Sequence, residues 1–180
     1  AEDSVLLSDL RYDASGTPTA IDHRLELQGP TDDYAIGLRA QQTRDGGEHR
    51  IEFLPSNILI NDKYWSVLED NRLIIDRGRF FSHNLGIEHF GEEIRVVFNH
   101  MDDAQNVQFL FRDIELADIV RIPTKQRAAV ISGRLNGDVV VAGLPDDPAV
   151  YGAIDARGLQ MNENDIGDLT LRADVIPDSR

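Results

Sequence analysis

The chain has 180 residues, of which 41% are hydrophobic and 28% charged, and 32 acidic against 18 basic residues give a net charge of −14. This balance disfavours binding to nucleic acid or to anionic lipid headgroups, because both require clustered Lys and Arg. The lack of cysteine excludes disulfides and thiolate chemistry. The sequence contains no run of about 18 apolar residues, which a membrane-spanning helix would need. No signal peptide is visible. Because the sequence begins at Ala1 without a methionine, we expect it to be part of a longer chain.

Apolar and polar side chains alternate with a period of two through most of the first hundred residues. In residues 19–28, Ile21, Leu25 and Leu27 fall on one predicted face and charged residues fall on the other. This pattern is typical of strands with one solvated face. Turn residues separate the apolar runs at intervals of about 8–12 residues, which predicts about a dozen short strands and an all-β fold.

The sharpest strand pattern lies between residues 131 and 175. Residues 131–135, 138–142 and 169–175 each alternate apolar with small or polar side chains. Asn136-Gly137 separates the first two runs and predicts a two-residue hairpin turn, since both central residues of such a turn need positive φ. Loop-forming residues follow the second run and precede the third.

Residues 113–120 are the one place where the period of two is lost. Their apolar residues recur at i, i+2, i+5 and i+6, and Asp113 is a suitable N-cap. We therefore predict one short helix near residues 113–120 that covers an end of the sheet. No linker marks a second domain, so residues 1–180 are predicted to form a single β-rich segment, with halves 1–112 and 124–180 on either side of the helix.

Residues with catalytic or metal-binding potential are scattered. The five histidines lack metal-ligand spacing, and no Gly-x-Ser-x-Gly motif occurs. Residues 162–168 look superficially like a calcium loop, but Ile166 stands where an oxygen ligand is needed. The pairs Asp32-Asp33, Asp102-Asp103 and Asp146-Asp147 lie in predicted turns, where Asp is common for local reasons. We expect no enzymatic activity, no catalytic residue, no metal and no cofactor.

Trp65 is the only tryptophan and lies within the dense apolar stretch of residues 57–81. A single Trp in such a stretch is predicted to anchor the core rather than to stack on a ligand. An alternative function is a β-sandwich module that docks a partner protein or a polysaccharide. That alternative needs exposed aromatic residues along one face, and Tyr64, Trp65, Phe80 and Phe81 would supply them.

Residues 48–176 resemble the C-terminal region of the translocation and assembly module subunit TamB, within the AsmA-like superfamily. The matching motifs are Ser132-Gly133-Arg134-Leu135-Asn136-Gly137-Asp138-Val139, Pro148-Ala149-Val150-Tyr151-Gly152, Leu159, and the stretch from Asn162 through Ile166-Gly167-Asp168-Leu169. Two further motifs look like the version in Bacteroidetes-type relatives: Asn61-Asp62-Lys63-Tyr64-Trp65 and Asp70-Asn71-Arg72-Leu73.

The resemblance implies a curled antiparallel or mixed β-sheet that forms an open, taco-like groove with an apolar interior. It implies a parent protein anchored in the inner membrane that crosses the periplasm towards a TamA-like outer-membrane assembly barrel. The implied function is phospholipid transport, outer-membrane protein assembly, or both. The implied partners are phospholipid acyl chains or unfolded strands of outer-membrane proteins.

The candidate groove residues are aliphatic and share the inward parity of their strands. Aliphatic walls suit acyl chains because neither requires hydrogen bonds. The same residues would also serve an ordinary packed core, and only the resemblance favours a lipid-accessible groove. The candidates are Ile94, Val96, Ile131, Leu135, Val139, Val141, Ile154, Leu169 and Leu171.

Overall fold

The computed structural model describes residues 9–29, 34–101, 104–117, 131–162 and 164–175. These residues form a single sheet of 14 strands. The strands are β1 (Asp9–Thr17), β2 (Ala20–Gln28), β3 (Tyr34–Asp45), β4 (Glu48–Phe53), β5 (Asn57–Ile60), β6 (Lys63–Val67), β7 (Arg72–Asp76), β8 (Arg79–His83), β9 (Gly86–His89), β10 (Glu92–Met101), β11 (Ala104–Glu115), β12 (Ile131–Leu144), β13 (Ala149–Met161) and β14 (Asn164–Val175).

The sheet runs up and down, with strands β1 to β3 at one side and β10 to β14 at the other. Between these sides are three strand positions, each occupied by two shorter strands that lie end to end; we call these positions the middle rows. Both β4 and β5 pair with β3, β7 pairs with β4, and β6 pairs with β5. In the next row β8 pairs with β7 and β9 pairs with β6. The rows are interrupted at residues 54–56, 68–71 and 84–85, so that three strand breaks lie next to one another.

The predicted all-β class is confirmed, and every pairing among the described strands is antiparallel. The sheet is neither closed nor strongly curled. Neighbouring strands in any sheet rotate relative to one another, whereas strong curl requires additional kinks along each strand. Within the described residues, the strongly curled, taco-like groove expected from the resemblance is not observed.

The hairpin predicted at Asn136-Gly137 is wrong. Both residues lie inside β12, where Asn136 is opposite Asp155 and Gly137 is opposite Ile154. Gly137 has φ of 145°, and a Cβ at this position would lie 2.2 Å from the carbonyl oxygen of Ala153. The glycine thus permits a close approach of β13 instead of a reversal of the chain.

Substitution of Gly137 by alanine is expected to lower the free energy of unfolding by about 1–3 kcal/mol, because the backbone conformation and the close carbonyl oxygen both exclude a Cβ. Gly47→Ala is the matched control, since a Cβ there meets nothing within 4 Å. The control should change stability by less than about 0.5 kcal/mol in denaturant unfolding. Equal losses in the two variants would contradict the role given to Gly137.

The helix predicted near residues 113–120 does not form as expected. Residues 113–115 belong to β11, and Asp113, with φ of 53°, sits at a bulge between the register positions of Phe111 and Ile114. Leu116 and Ala117 have helical backbone, and residues 118–120 lie outside the described residues. Pairing of Ile114 with Leu135 extends the strand past the bulge, so the neighbouring strand overrides the local helix signal.

The core lies on one face of the sheet around Ile58, Trp65 and Ile114. Trp65 is 3% exposed, which confirms the prediction that it anchors the core. Eight partly buried apolar residues from seven strands pack against this cluster: Ile36, Leu38, Ile60, Val67, Ile87, Ile94, Phe111 and Leu135. The core therefore joins the middle strands to β10, β11 and β12.

Candidate functional site

An apolar face continues from the core across strands β10 to β14. Residues directly opposite one another in neighbouring strands project from the same face of a sheet. Two such rows cross all these strands: Ile94–Phe111–Gly137–Ile154–Leu171 and Val96–Phe109–Val139–Gly152–Ala173. We call this surface of β10 to β14 the apolar face.

The structure places all the predicted groove residues on the apolar face. Leu135 is opposite Ala156, and Leu169 is opposite Ala156 on the next strand. Val141 follows Val139 by two residues in β12, and Ile131 precedes Leu135 by four, so both keep the same parity. Their role in lining a groove stays a prediction. The sequence-based selection omitted Phe109 and Phe111, although the same alternation could have revealed them.

On the apolar face, the edge strand β14 is more exposed than its neighbours, although Phe109 in β11 is also 37% exposed. Val107, Ala156 and Leu159 are buried, whereas Leu169 is 45% exposed and Leu171 is 56% exposed. All the described strands belong to one sheet, so no second sheet of described strands covers this surface. An exposed apolar patch of this kind is typical of a site that contacts an apolar partner.

The opposite face of the same strands carries hydrogen-bonded and charged pairs, although Val97, Leu110 and Val140 also lie on it. Thr170 donates a hydrogen bond to Asp155 at 2.6 Å between Oγ1 and Oδ1. Gln108 donates to Asp138 at 3.2 Å, and Arg112 Nη1 lies 3.1 Å from Glu93 Oε2. This face is therefore more polar than the apolar face, and its charged side chains are in contact with water. We call it the polar face.

A charge cluster borders the apolar face at the start of β10. Glu92 precedes Ile94 by two residues, and its side chain is only 7% exposed. Lys63 Nζ lies 3.2 Å from Glu92 Oε1, and Arg134 Nη1 lies 3.5 Å from the same oxygen. Two cations offset the cost of removing this carboxylate from water. The cluster marks the polar limit of the apolar face.

Strands β1 to β4 carry a hydrogen-bonded chain of polar side chains on the same side of the sheet as the core. Tyr12 Oη lies 2.7 Å from His23 Nδ1, and His23 Nε2 lies 3.1 Å from Gln42 Oε1. Gln42 Nε2 in turn lies 2.8 Å from His49 Nδ1. All three contacts are satisfied if Tyr12, His23 and Gln42 each donate to the next group. The sequence alone does not reveal this series of hydrogen bonds, because only the strand register brings Tyr12, His23, Gln42 and His49 together.

The strand breaks open a cleft of about 580 Å³ on the polar side of the middle rows. Its lining includes Glu52, Ser66, Arg72 and Glu88. Beneath it, buried Asn71 accepts a hydrogen bond from the Phe53 N–H and donates to the Phe53 carbonyl, both at 2.8 Å. Within the described residues, no group of three or more His, Asp or Glu side chains could hold a metal ion.

The aromatic residues named for the carbohydrate or protein-docking alternative do not form one surface. Tyr64 and Trp65 are adjacent in β6 and therefore project from opposite faces, as do Phe80 and Phe81 in β8. Trp65 is buried, while Tyr64 is 70% exposed. This division leaves the alternative without the aromatic platform that it requires.

Comparisons with family models, curated proteins and solved structures find no match to this chain. The resemblance to TamB therefore stays a prediction. Among the described residues, no helix has the length and apolar character needed to cross a membrane.

Proposed function

We propose that this chain is a periplasmic segment of a TamB-like protein of the AsmA-like superfamily, and that its apolar face carries phospholipid acyl chains between the inner and outer membranes. The observation that supports the proposal is a single amphipathic sheet whose apolar face remains exposed at Leu169 and Leu171. A packed β-sandwich would bury this face under a second sheet.

Acyl chains fit the apolar face for a simple chemical reason. Each CH₂ group removed from water contributes about 0.8 kcal/mol to the free energy of binding. The aliphatic side chains of β12 to β14 need no hydrogen-bond partner in the ligand. Contacts of this kind are similar at every position along the face, so a bound chain can slide without meeting a large barrier. The headgroup would stay in water or near the charged border around Glu92.

The taco-like groove belongs to the same proposal. Glycines within strands are the positions at which sheets are bent, and Gly137 and Gly152 both lie on the apolar face. A longer parent sheet with such glycines in successive strands would curl further than the described strands do. The inner-membrane anchor and the outer-membrane barrel partner of the TamA kind complete this arrangement.

A protein client is the second candidate, and the edge of the sheet favours it. Strand β14 is last in the sheet order, so among the described strands its outer edge has no neighbour. Such an edge presents backbone N–H and C=O groups to which an unfolded strand of an outer-membrane protein can add. The apolar side chains of that strand would then extend the apolar face.

Site-specific photo-crosslinking with phospholipid vesicles tests the acyl-chain proposal. We expect lipid adducts when the photoreactive residue replaces Val139, Ile154 or Leu171, because these positions lie on the apolar face. Thr170, next to Leu171 on the polar face, is the matched control and should give none. The absence of adducts at all three apolar positions in a folded sample, or equal labelling at Thr170, would refute the proposal.

A further inference from the structure

Strands β8 and β10 run beside each other without being paired in the sheet. Strand β8 ends the sheet order next to β7, and β9 pairs with β10 only through residues 92–95. The last backbone contact on that side joins Val96 N–H to the Leu85 carbonyl at 2.8 Å. Beyond it lies a seam, which we define as residues 79–83 of β8 and 96–100 of β10.

Gln105 fills one end of the seam with its carboxamide. Its Oε1 accepts from the Phe80 N–H at 2.8 Å, and its Nε2 donates to the Phe80 carbonyl at 3.0 Å. The same Nε2 lies 2.7 Å from the carbonyl oxygen of Asn99 in β10. In an antiparallel ladder, one residue of a neighbouring strand makes this pair of bonds. The side chain therefore takes the place of a peptide group.

Ser82 does the same further along the seam. Its hydroxyl donates to the Val96 carbonyl at 3.1 Å and accepts from the Phe98 N–H at 2.8 Å. Phe80 and Phe98 meet on the core side of the seam, with ring centroids 6.1 Å apart. Two small polar groups thus satisfy backbone positions that a strand would otherwise satisfy, above an apolar floor.

The strand breaks separate the half of the middle strands that contains β8 from the half that contains β9. Strands β4, β7 and β8 connect to β5, β6 and β9 through the interruptions at residues 54–56, 68–71 and 84–85. Breaks in a sheet are positions at which a bend can change without disrupting a continuous ladder. Movement there would separate β8 from β10 at the cost of the side-chain bonds from Ser82 and Gln105.

We propose that the seam is a binding site for an extended polypeptide segment, which enters as a strand between β8 and β10 and displaces the Gln105 and Ser82 side chains. To accept a strand between them, β8 and β10 would have to lie about 10 Å apart, which is twice the usual distance between neighbouring strands. The segment would alternate apolar and polar residues, with the apolar ones beside Phe80 and Phe98. This site is separate from the apolar face and does not depend on acyl-chain binding.

A fluorescent peptide of alternating valine and threonine, about ten residues long, is the probe for the seam. The full chain carrying Ser82→Ala and Gln105→Ala should bind it about tenfold more tightly, because internal hydrogen bonds no longer compete. Gln108→Ala is the matched control, since Gln108 lies in the same strand but bonds to the Asp138 side chain. Its affinity for the peptide should equal that of the unmodified chain.

Two further measurements keep the test decisive. Gln105→Glu retains the acceptor for Phe80 N–H and loses the donor, so a smaller gain in affinity is expected even if the double variant fails to fold. A photoreactive residue at Val97 should label the peptide, whereas one at Tyr151 on β13 should not. Unchanged or weaker binding by the folded variants, or labelling only at Tyr151, would overturn the proposal whether or not lipid binds at Leu171.

Discussion

Replacement of Trp65 by alanine should lower the free energy of unfolding by about 4 kcal/mol. Trp65 belongs to the buried cluster with Ile58 and Ile114, and side chains from across the sheet pack against this cluster. Removing the indole leaves a cavity at the point where these contacts converge. Chemical denaturation followed by circular dichroism measures the change.

Tyr64→Ala is the matched control for this prediction. Tyr64 precedes Trp65 in β6 but projects from the other face and is exposed, so its loss should change stability by less than about 1 kcal/mol. Similar losses for the two variants would show that burial on the core side does not hold the sheet together. A stable Trp65→Ala variant would show the same.

Leu171→Arg is expected to abolish lipid labelling from a photoreactive residue at Ile154, which is opposite Leu171 in the neighbouring strand. A charge on the apolar face would have to be removed from water whenever an acyl chain binds, and this cost exceeds the gain from several CH₂ groups. Because Leu171 is already 56% exposed, the substitution should change the free energy of unfolding by less than about 1 kcal/mol.

Thr170→Arg provides the control, since it adds the same charge one residue away on the polar face. Labelling at Ile154 should be unaffected by it. Val141→Asp should also block labelling, but it will destabilise the fold as well because Val141 is partly buried. Persistent labelling in the Leu171→Arg variant, at the level of Thr170→Arg, would exclude acyl chains as ligands of the apolar face.

The local sequence correctly predicted the all-β class, but not the helix near residues 113–120 or a strongly curled sheet. Alternation of apolar and polar residues at positions such as Val139 and Val141, or Leu169 and Leu171, assigns each pair to one face of a strand. This assignment needs no knowledge of the neighbouring strands, because side chains in any strand alternate between two faces. The burial of Trp65 could also be predicted, because its neighbours in residues 57–81 are largely apolar.

Features that depend on which strands lie side by side could not be predicted. Asn136-Gly137 has the composition of a turn, yet pairing with β11 and β13 holds it inside a strand. Asp113 resembles a helix cap, yet it sits at a bulge because Ile114 pairs with Leu135. In both cases long-range pairing satisfies more backbone groups than the local alternative.

The amino-acid sequence by itself thus determined a β-sheet with one apolar and one polar face. The tertiary structure decided that this sheet stays open, so that Leu169 and Leu171 remain exposed. It also decided that Gln105 lies against the backbone of Phe80, which is 25 residues away. The physical reason is that alternation is a property of one strand, whereas exposure and hydrogen-bond partners are set by register between strands.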